Sequence, residues 1–348
     1  MQLNSNRRGF LAACGCAVGL SALGQGCASS NAPGMASGEA KRIDVHHHLI
    51  PASYLAAVAE YRIGSQPRPW SPALSLQEMD RNGIATAMLS IIQPGIWRKE
   101  DRAKSRRMAR DINEYGATLV RDYPRRFGLW AALPLPDIDG SLAEIEYAFD
   151  TLHADGIGLM TSFDQTYLGS ATFAPVYAEL NRRKAVIYVH PQTPDCCSQI
   201  ASEMPASSVE YATDTTRTIG SVIFSGTAAR YSDIRWIFSH SGGTAPFLIS
   251  RFELVDQSIK DRSLIPHGAL HEMKKFHYDT AQGNHRGALD ALRAVVPTSQ
   301  ILFGTDYPMR PAKEEVDALA AYGFTAAERA AIDFENAQRL ITRLAVQA

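Results

Sequence analysis

Five side chains that can bind a metal or carry a proton follow short apolar runs of the sequence. His46 and His48 close the first run, His190 and His240 follow two later ones, and Asp306 follows the last. Imidazole nitrogen and carboxylate oxygen are ligands for zinc and for other first-row divalent metals. Three histidines and one aspartate around a single ion would leave a coordination position for water or substrate, which catalysis requires.

The spacing of His46 and His48 places both side chains on the same side of a strand. In a barrel strand, both imidazoles would point toward the axis and bind one ion together. Taken alone, the pair is equally consistent with a core or surface histidine cluster. His190 and Asp306 at matching strand ends favour the metal site.

His240 follows the buried run 234–238 and precedes Gly242 and Gly243. These glycines allow the backbone and a ligand to approach each other closely. The sequence therefore predicts that His240 is either a further metal ligand or an acid/base group, with a core histidine as the alternative.

The elements that must position these residues are eight short apolar runs, separated by segments of helical periodicity. Such an alternation predicts β-α units and parallel strands buried on both faces. Eight of them favour an α/β fold, the (β/α)8 TIM barrel, in which the carboxyl ends of the strands meet at one face that holds the active site. The predicted strands are residues 42–48, 86–92, 127–134, 156–162, 185–191, 234–242, 276–281 and 301–308.

Two of the intervening helices are visible as apolar stripes, one over residues 108–119 and one over residues 142–152. We expect Asp139 or Ser141 to cap the second helix at its N-terminus. The proline-containing stretch 63–72 is predicted to be a surface loop between the first two strands.

The composition favours a globular protein that is not directed at nucleic acid. The chain has 348 residues, 45% of them hydrophobic and 20% charged, with a net charge of −1. These values allow a sizeable core, and no basic stripe interleaved with aromatic residues is present. Residues 39–348 are long enough for one barrel domain.

The N-terminal segment has the pattern of an export signal. Arg7 and Arg8 form a twin-arginine pair, and an uncharged run follows them to Gly38. We therefore predict that residues 1–38 are a twin-arginine signal with a disordered linker, that the export machinery recognises it, and that the protein is periplasmic. A lipid anchor at Cys27 is weakly supported, because Leu23 lies four residues before it rather than three.

Cysteine usage predicts no disulfide framework. Three of the five cysteines fall within the predicted signal, which leaves the neighbours Cys196 and Cys197 in the barrel domain. Adjacent cysteines rarely bridge each other, so we expect two thiols on a loop.

Together these motifs resemble the amidohydrolase superfamily, in particular its branch around aminocarboxymuconate-semialdehyde decarboxylase. The resemblance spans about residues 42–344. It rests on the segments 43–48, 189–191, 239–243 and 303–308. Within the branch, the segments 83–87, 152–156 and 178–185 are most similar to the 6-methylsalicylate decarboxylases.

The resemblance implies one zinc or manganese ion per subunit, held by His46, His48, His190 and Asp306. It also implies that His240 is the acid/base residue and that the reaction releases CO2 from a small hydroxy-aromatic carboxylic acid. Either His240 or Asp306 delivers the proton to the ring carbon.

A homodimer is implied as well. Arg251 lies eleven residues beyond His240, where related decarboxylases carry an arginine that reaches the neighbouring subunit's site and pairs with the substrate carboxylate. An ordinary helix-surface ion pair is the alternative for Arg251.

The sequence departs from some relatives in the branch, which carry a glutamate where this chain has His46 or Gly243. Most relatives also lack an export signal. The same ligands could serve hydrolysis of an amide, ester or lactone, with Asp306 as the base. A metal- or ligand-binding protein on an inactive barrel is a third, less favoured interpretation.

Overall fold

Eight parallel strands form the centre of the fold, in a computed structural model that describes residues 41–59, 69–194, 197 and 203–345. Each strand is hydrogen-bonded to the next in chain order. The strands are β1 (Arg42–His48), β2 (Ile84–Ser90), β3 (Phe127–Ala132), β4 (Gly156–Met160), β5 (Val186–His190), β6 (Arg235–Phe238), β7 (His277–Asp279) and β8 (Ile301–Leu302).

Backbone contacts between the first and last strands bring the sheet round on itself. The Val45 N–H donates to the Phe303 carbonyl at 2.9 Å, and the Asp306 N–H donates to the His46 carbonyl at 2.8 Å. The predicted (β/α)8 barrel is therefore confirmed.

Helices lie between successive strands and cover the outside of the barrel. In the described part of the chain they are α1 (Ala52–Ala57), α2 (Pro72–Arg81), α3 (Arg102–Asp122), α4 (Ile138–Glu146), α5 (Ala174–Arg182), α6 (Glu210–Phe224), α7 (Thr227–Arg230), α8 (Ile249–Ser258), α9 (Ala269–Lys275), α10 (Arg286–Val295), α11 (Ala312–Tyr322), α12 (Ala326–Ala330) and α13 (Asn336–Leu340). A short hairpin of Ser162–Phe163 and Thr166–Tyr167 follows β4.

The apolar stripes of these helices explain where they pack. In α3, Met108, Ile112 and Leu119 are buried at helical spacing, as the sequence predicts, while the opposite face is exposed. The helix begins at a side-chain cap, because the Asp101 carboxylate accepts from the Lys104 N–H at 2.8 Å.

The predicted cap of α4 is wrong. The helix begins at Ile138, so Asp137 occupies the capping position and its carboxylate accepts from the Gly140 N–H at 3.2 Å. Asp139 lies in the first turn, where its charge still suits the positive end of the helix. Ser141 is fully buried inside the helix.

The core has an inner and an outer layer. The outer layer lies between the strands and the surrounding helices and contains most of the buried apolar residues. The inner layer fills the barrel, and its members include Ile43, Val45, Met88, Trp130, Val186, Tyr188, Ile237 and Leu302. The barrel is therefore a packed core that supports a site at its mouth rather than a channel.

Several strands end earlier than the sequence predicts, and this moves two site residues into loops. β6 ends at Phe238 and β8 at Leu302, so neither His240 nor Asp306 ends a strand. Both residues adopt left-handed backbone angles, with φ of 55° at His240 and 61° at Asp306. Such angles cannot continue a β ladder.

Several predictions fall outside the described residues: the export signal 1–38 with Arg7, Arg8 and Cys27, the thiol of Cys196, and residues 63–68 of the predicted loop. These stay predictions, as does the division of the chain at residue 38. None of the helices in the described ranges combines the length and apolarity needed to cross a bilayer.

Candidate active site

Four of the predicted site residues meet at the carboxyl end of the barrel. One ligand atom from each of His46, His48, His190 and Asp306 lies within 4.8 Å of every other, and all four residues are buried. The centroids of the imidazole rings of His46, His48 and His190 are 4.8–5.2 Å apart. These atoms come from β1, β5 and the loop after β8, which only the closed barrel brings together.

The Asp306 carboxylate lies against the two β1 imidazoles. Its Oδ1 is 2.8 Å from His48 Nε2 and 3.2 Å from His46 Nε2. His46 Nε2 is buried and has no partner with hydrogen-bond geometry in the described part of the chain. A buried nitrogen without a partner destabilises the fold unless something binds it. A metal ion would bind the lone pair of this nitrogen.

The other ring nitrogen of each histidine is held by a neighbouring acceptor. His46 Nδ1 is 3.0 Å from Asp279 Oδ2, His190 Nδ1 is 2.7 Å from the Pro191 carbonyl, and His48 Nδ1 is 3.4 Å from the Ser90 carbonyl. When Nδ1 carries the proton in each ring, Nε2 offers its lone pair to the shared centre. The residues present therefore fit one divalent metal ion.

The electrostatics of the cluster also favour a cation. Burial alone would lower the pKa of His46, but the carboxylates of Asp279 and Asp306 outweigh it and raise the pKa to about 10. Burial would raise the pKa of Asp306, and the neighbouring His46 charge instead holds it well below its usual range. Burial lowers the pKa of His48 and of His190. The site thus holds positive charge among its carboxylates, as a proton in the metal-free protein or as a metal ion.

His240 is placed beside the cluster with one nitrogen available. Its Nδ1 donates to the Ala281 carbonyl at 2.8 Å, and its backbone N–H donates to Asp279 Oδ1 at 3.0 Å. Its ring centroid is 4.9 Å from that of His46. His240 Nε2 is buried and has no hydrogen-bond partner among the described residues. Burial lowers the pKa of His240, so the ring is neutral and Nε2 can accept a proton.

The glycines after His240 let its loop pack tightly. At Gly243, where φ is 63°, a Cβ would lie 2.1 Å from the Ala212 carbonyl oxygen on α6. Only glycine accepts both that conformation and that approach. The first turn of α6 therefore lies directly against the His240 loop.

One buried carboxylate, that of Asp44, is hydrogen-bonded both to β1 and to the loop after β8. Asp44 Oδ1 accepts from the His46 N–H at 3.1 Å and the Thr305 N–H at 3.0 Å. Its Oδ2 accepts from Thr305 Oγ1 at 2.6 Å and lies 3.0 Å from His47 Nδ1. Asp44 thus positions the residues immediately before Asp306 relative to β1.

Sequence reasoning missed Asp279 and Gln282. Asp279 ends β7 and contacts both His46 and His240, while the Gln282 amide donates to Asp306 Oδ2. Asp279 lay inside the predicted strand 276–281. A carboxylate near the end of a buried run was the signal that could have identified it. Gln282 lies in a loop with a left-handed backbone, which no strand pattern marks.

Two further residues that the sequence singled out, Arg251 and Cys197, are not members of the four-residue cluster. Arg251 is exposed on α8, and within the described ranges it makes no ion pair. Cys197 is buried, and its sulfur lies 4.0 Å from both terminal nitrogens of Arg217.

A closed α/β barrel with three histidines and one aspartate at its mouth is the architecture of a metal-dependent enzyme. The chain belongs to the amidohydrolase family, whose model matches residues 43–343.

Two curated relatives are decarboxylases. The decarboxylase yanB of Aspergillus niger is 36% identical over 288 residues, which cover 78% of each chain. The 6-methylsalicylic acid decarboxylase acuB of Aspergillus aculeatus is 34% identical over 282 residues, covering 78% of this chain and 85% of the relative.

Solved structures share the fold. A dihydroxybenzoic acid decarboxylase from Polaromonas, crystallised with manganese and the inhibitor 2-nitroresorcinol, superimposes with a TM-score of 0.78 at 22% identity, covering 87% of this chain and 97% of that one. The predicted family and its decarboxylase branch are confirmed, and with them the interpretation of this chain as a metal-dependent decarboxylase.

Proposed function

We propose that the protein releases CO2 from a small aromatic acid that carries a hydroxyl group ortho to its carboxylate, such as 6-methylsalicylate. The observation that carries this proposal is the unpartnered His240 Nε2 beside the cluster of His46, His48, His190 and Asp306. The curated relatives named for 6-methylsalicylic acid, 33–34% identical to this chain, support the choice of substrate.

His46, His48, His190 and Asp306 would hold the metal. When bound, it supplies positive charge that orients the carboxylate and hydroxyl oxygens of the substrate and stabilises charge on them. The ligand set suits zinc and manganese, and we propose one of the two; manganese is the metal in the Polaromonas decarboxylase.

His240 is the better proton carrier of the two candidates. Both carboxylate oxygens of Asp306 are occupied, Oδ1 by the imidazoles of β1 and Oδ2 by the Gln282 amide. His240 Nε2 has no partner in the described part of the chain, and its Nδ1 is held by the Ala281 carbonyl. We therefore assign proton transfer to His240 Nε2 and ligation to Asp306.

The proposed proton path begins at the substrate hydroxyl. His240 Nε2 accepts that proton and then delivers it to the ring carbon that bears the carboxylate. The bond between this carbon and the carboxylate breaks, its electrons return to the ring, and CO2 leaves. Solvent restores the proton of the hydroxyl oxygen, so the net change is replacement of the carboxylate by hydrogen.

The direct test is CO2 release by the metal-loaded protein from 6-methylsalicylate and a panel of hydroxybenzoates. We expect turnover of acids with an ortho hydroxyl and none of benzoate. A protein that contains metal but releases no CO2 from any of them would refute the proposal. Incorporation of labelled solvent oxygen into the acid formed from an amide, ester or lactone substrate would favour hydrolysis instead.

A matched variant tests the role of His240. His240→Ala should lower kcat by at least about 100-fold, the usual contribution of a general acid/base, while metal content stays at the wild-type level. The exposed His271→Gln serves as the control and should keep wild-type turnover. Unchanged turnover in His240→Ala would move proton transfer to another group.

We further propose a homodimer in which Arg251 serves the partner's site. The surface around α8 supports this, because Phe247, Leu254 and Val255 expose 79%, 65% and 44% of their area. Clustered apolar side chains of this size on a surface helix mark an interface. The exposed Arg251 lies on the same helix and is available to a substrate carboxylate across that interface.

Mixing two inactive variants tests the dimer. Arg251→Ala and His240→Ala proteins, each inactive alone, should regain about a quarter of wild-type activity per subunit when co-refolded or exchanged, because half of the chains enter mixed dimers that each contain one intact site. Leu254→Glu should yield monomers in light scattering. A monomeric wild-type protein with full turnover would contradict the dimer.

A further inference from the structure

A tyrosine at the start of α6 is joined to two other loops of the barrel mouth. The Gln93 amide nitrogen donates to the Tyr211 hydroxyl, and the Thr193 backbone N–H donates to Gln93 Oε1 at 3.1 Å. Gln93 is buried, with 8% of its surface exposed. Because Oε1 is committed to a backbone donor, the amide must present its NH2 group to Tyr211.

The positions of these residues place the Tyr211 side chain across the mouth. The first turn of α6 packs on the loop after β6, where a Cβ at Gly243 would touch the Ala212 carbonyl. Gln93 follows β2. In the eight-strand order, β2 and β6 are four positions apart and therefore lie on opposite sides of the barrel. The hydrogen bond between Tyr211 and Gln93 thus joins loops from opposite sides of the barrel at its carboxyl end, where the four-residue cluster also lies.

The surroundings of Tyr211 agree with this position. Burial raises the pKa of Tyr211 to about 12, and the next contribution is the carboxylate of Asp306, one of the metal ligands. The phenol therefore keeps its proton at neutral pH.

The Tyr211 hydroxyl can donate to a bound ligand. Its oxygen accepts from the Gln93 amide, and the Thr193 side chain is a further hydrogen-bond partner. The Thr193 hydroxyl can act as donor or as acceptor, and when it donates to the phenol oxygen, the Tyr211 O–H is available to a ligand.

We propose that Tyr211 donates a hydrogen bond to the carboxylate of the aromatic acid bound beneath it, and that Gln93 positions its hydroxyl. This rests on the proposed function, since the acid is the substrate assigned there. The hydrogen-bonded pair of Tyr211 and Gln93 would cover the bound carboxylate and limit the depth of the pocket. The contact would favour binding of acids over binding of the corresponding phenols.

The experiment compares wild type with Tyr211→Phe, which removes only the hydroxyl. We expect KM for 6-methylsalicylate to rise about tenfold with kcat within about threefold, because a uniform binding contact is lost. The dissociation constant for the same acid, measured by calorimetry in a His240→Ala background that does not turn it over, should rise by the same factor. Binding of the product phenol, 3-methylphenol, should change by less than about twofold.

Two further variants separate positioning from general damage. Gln93→Met keeps the volume but loses the amide, and should raise KM in the same direction by a smaller factor. Tyr231→Phe is the matched control, because its hydroxyl donates to the Ala174 carbonyl at 3.3 Å near the amino end of β6. It should leave both constants unchanged. Metal content and the thermal midpoint of each variant verify that it is folded.

The outcomes distinguish the two proposals. Turnover in wild type with equal KM and dissociation constants in Tyr211→Phe overturns the role of Tyr211 and leaves the function standing. No turnover of any acid, but binding that depends on the Tyr211 hydroxyl, overturns the function and keeps the contact. Absence of both turnover and binding overturns both.

Discussion

His46 Nδ1 lies 3.0 Å from Asp279 Oδ2, and this contact determines that Nε2 is the nitrogen of His46 that faces the other residues of the four-residue cluster. The same carboxylate accepts the backbone N–H groups of His240 and Ala281 through its other oxygen. Asp279 therefore positions a proposed metal ligand, His46, and the proposed proton carrier, His240, from the end of β7, without belonging to the four-residue site.

Asp279→Asn should lower metal affinity about 10- to 100-fold, because an amide oxygen accepts from His46 Nδ1 more weakly than a carboxylate and does not raise the basicity of the ring. Competition with a chelator, followed by metal analysis, measures this. Asp137→Asn is the control, since that carboxylate is also buried but caps α4 and pairs with Arg102 and Arg106. Equal metal retention in the two variants would show that Asp279 does not support the site.

Thr305→Val tests the hydrogen bond that connects the loop after β8 with Asp44 on β1. The substitution keeps the shape of the side chain but removes the hydroxyl that donates to Asp44 Oδ2 at 2.6 Å. We expect the free energy of unfolding to fall by about 2 kcal/mol, the usual value for a hydrogen bond to a charged group. Urea denaturation measures this change, and Thr118→Val, which removes a solvent-exposed hydrogen bond to the Glu114 carbonyl, is the control. A loss no larger than that of the control would contradict the role assigned to Asp44.

The sequence predicted the barrel and the four residues that meet at its mouth because both depend on local patterns. Buried parallel strands read as apolar runs, and His46, His48 and His190 stand at the ends of runs that the structure reproduces closely. The spacing of β1 alone determines that His46 and His48 share a side. Asp306 reaches these histidines only because the barrel closes between β1 and β8. A strand pattern implies such closure but does not show which residues it brings together.

What the sequence did not reveal depends on backbone angles and on contacts between distant loops. His240 and Asp306 have left-handed backbone conformations and lie beyond the ends of their strands. Neither a histidine nor an aspartate in the sequence is enough to predict such a backbone angle. Tyr211 and Gln93 are more than a hundred positions apart, so their contact requires the ring of strands. Asp279 lies in a run typical of an ordinary strand, and only its contacts with His46 and His240 distinguish it from other strand residues.

Export through the twin-arginine pathway, which we propose from the sequence pattern, has a simple test. Replacing Arg7 and Arg8 by lysine should keep the protein in the cytoplasm of a bacterial host, while the wild type reaches the periplasm. Cell fractionation and immunoblotting measure both. Replacement of Arg42 and Lys41, outside the signal pattern, is the control. A doubly substituted protein that is still exported would remove the support for this route.

The last prediction concerns the pH dependence of stability and involves His277, at the start of β7. Burial lowers the pKa of His277 from 6.5 to about 4, and the neighbouring charge of Arg235 adds to this effect. The unfolded chain therefore binds a proton that the folded chain rejects between these two values. The stabilisation is complete above pH 6.5 and is lost as the pH falls toward 4, by about 3 kcal/mol in total.

His277→Gln should escape this loss, because glutamine does not titrate. Urea unfolding of both proteins at pH 7.5 and pH 4.5 should show wild type losing roughly 2–3 kcal/mol more than the variant. Protonation of the metal ligands affects both proteins alike, so the difference between them isolates His277. Parallel losses in the two proteins would mean that His277 is already protonated in the fold, or that it opens to solvent before the barrel unfolds.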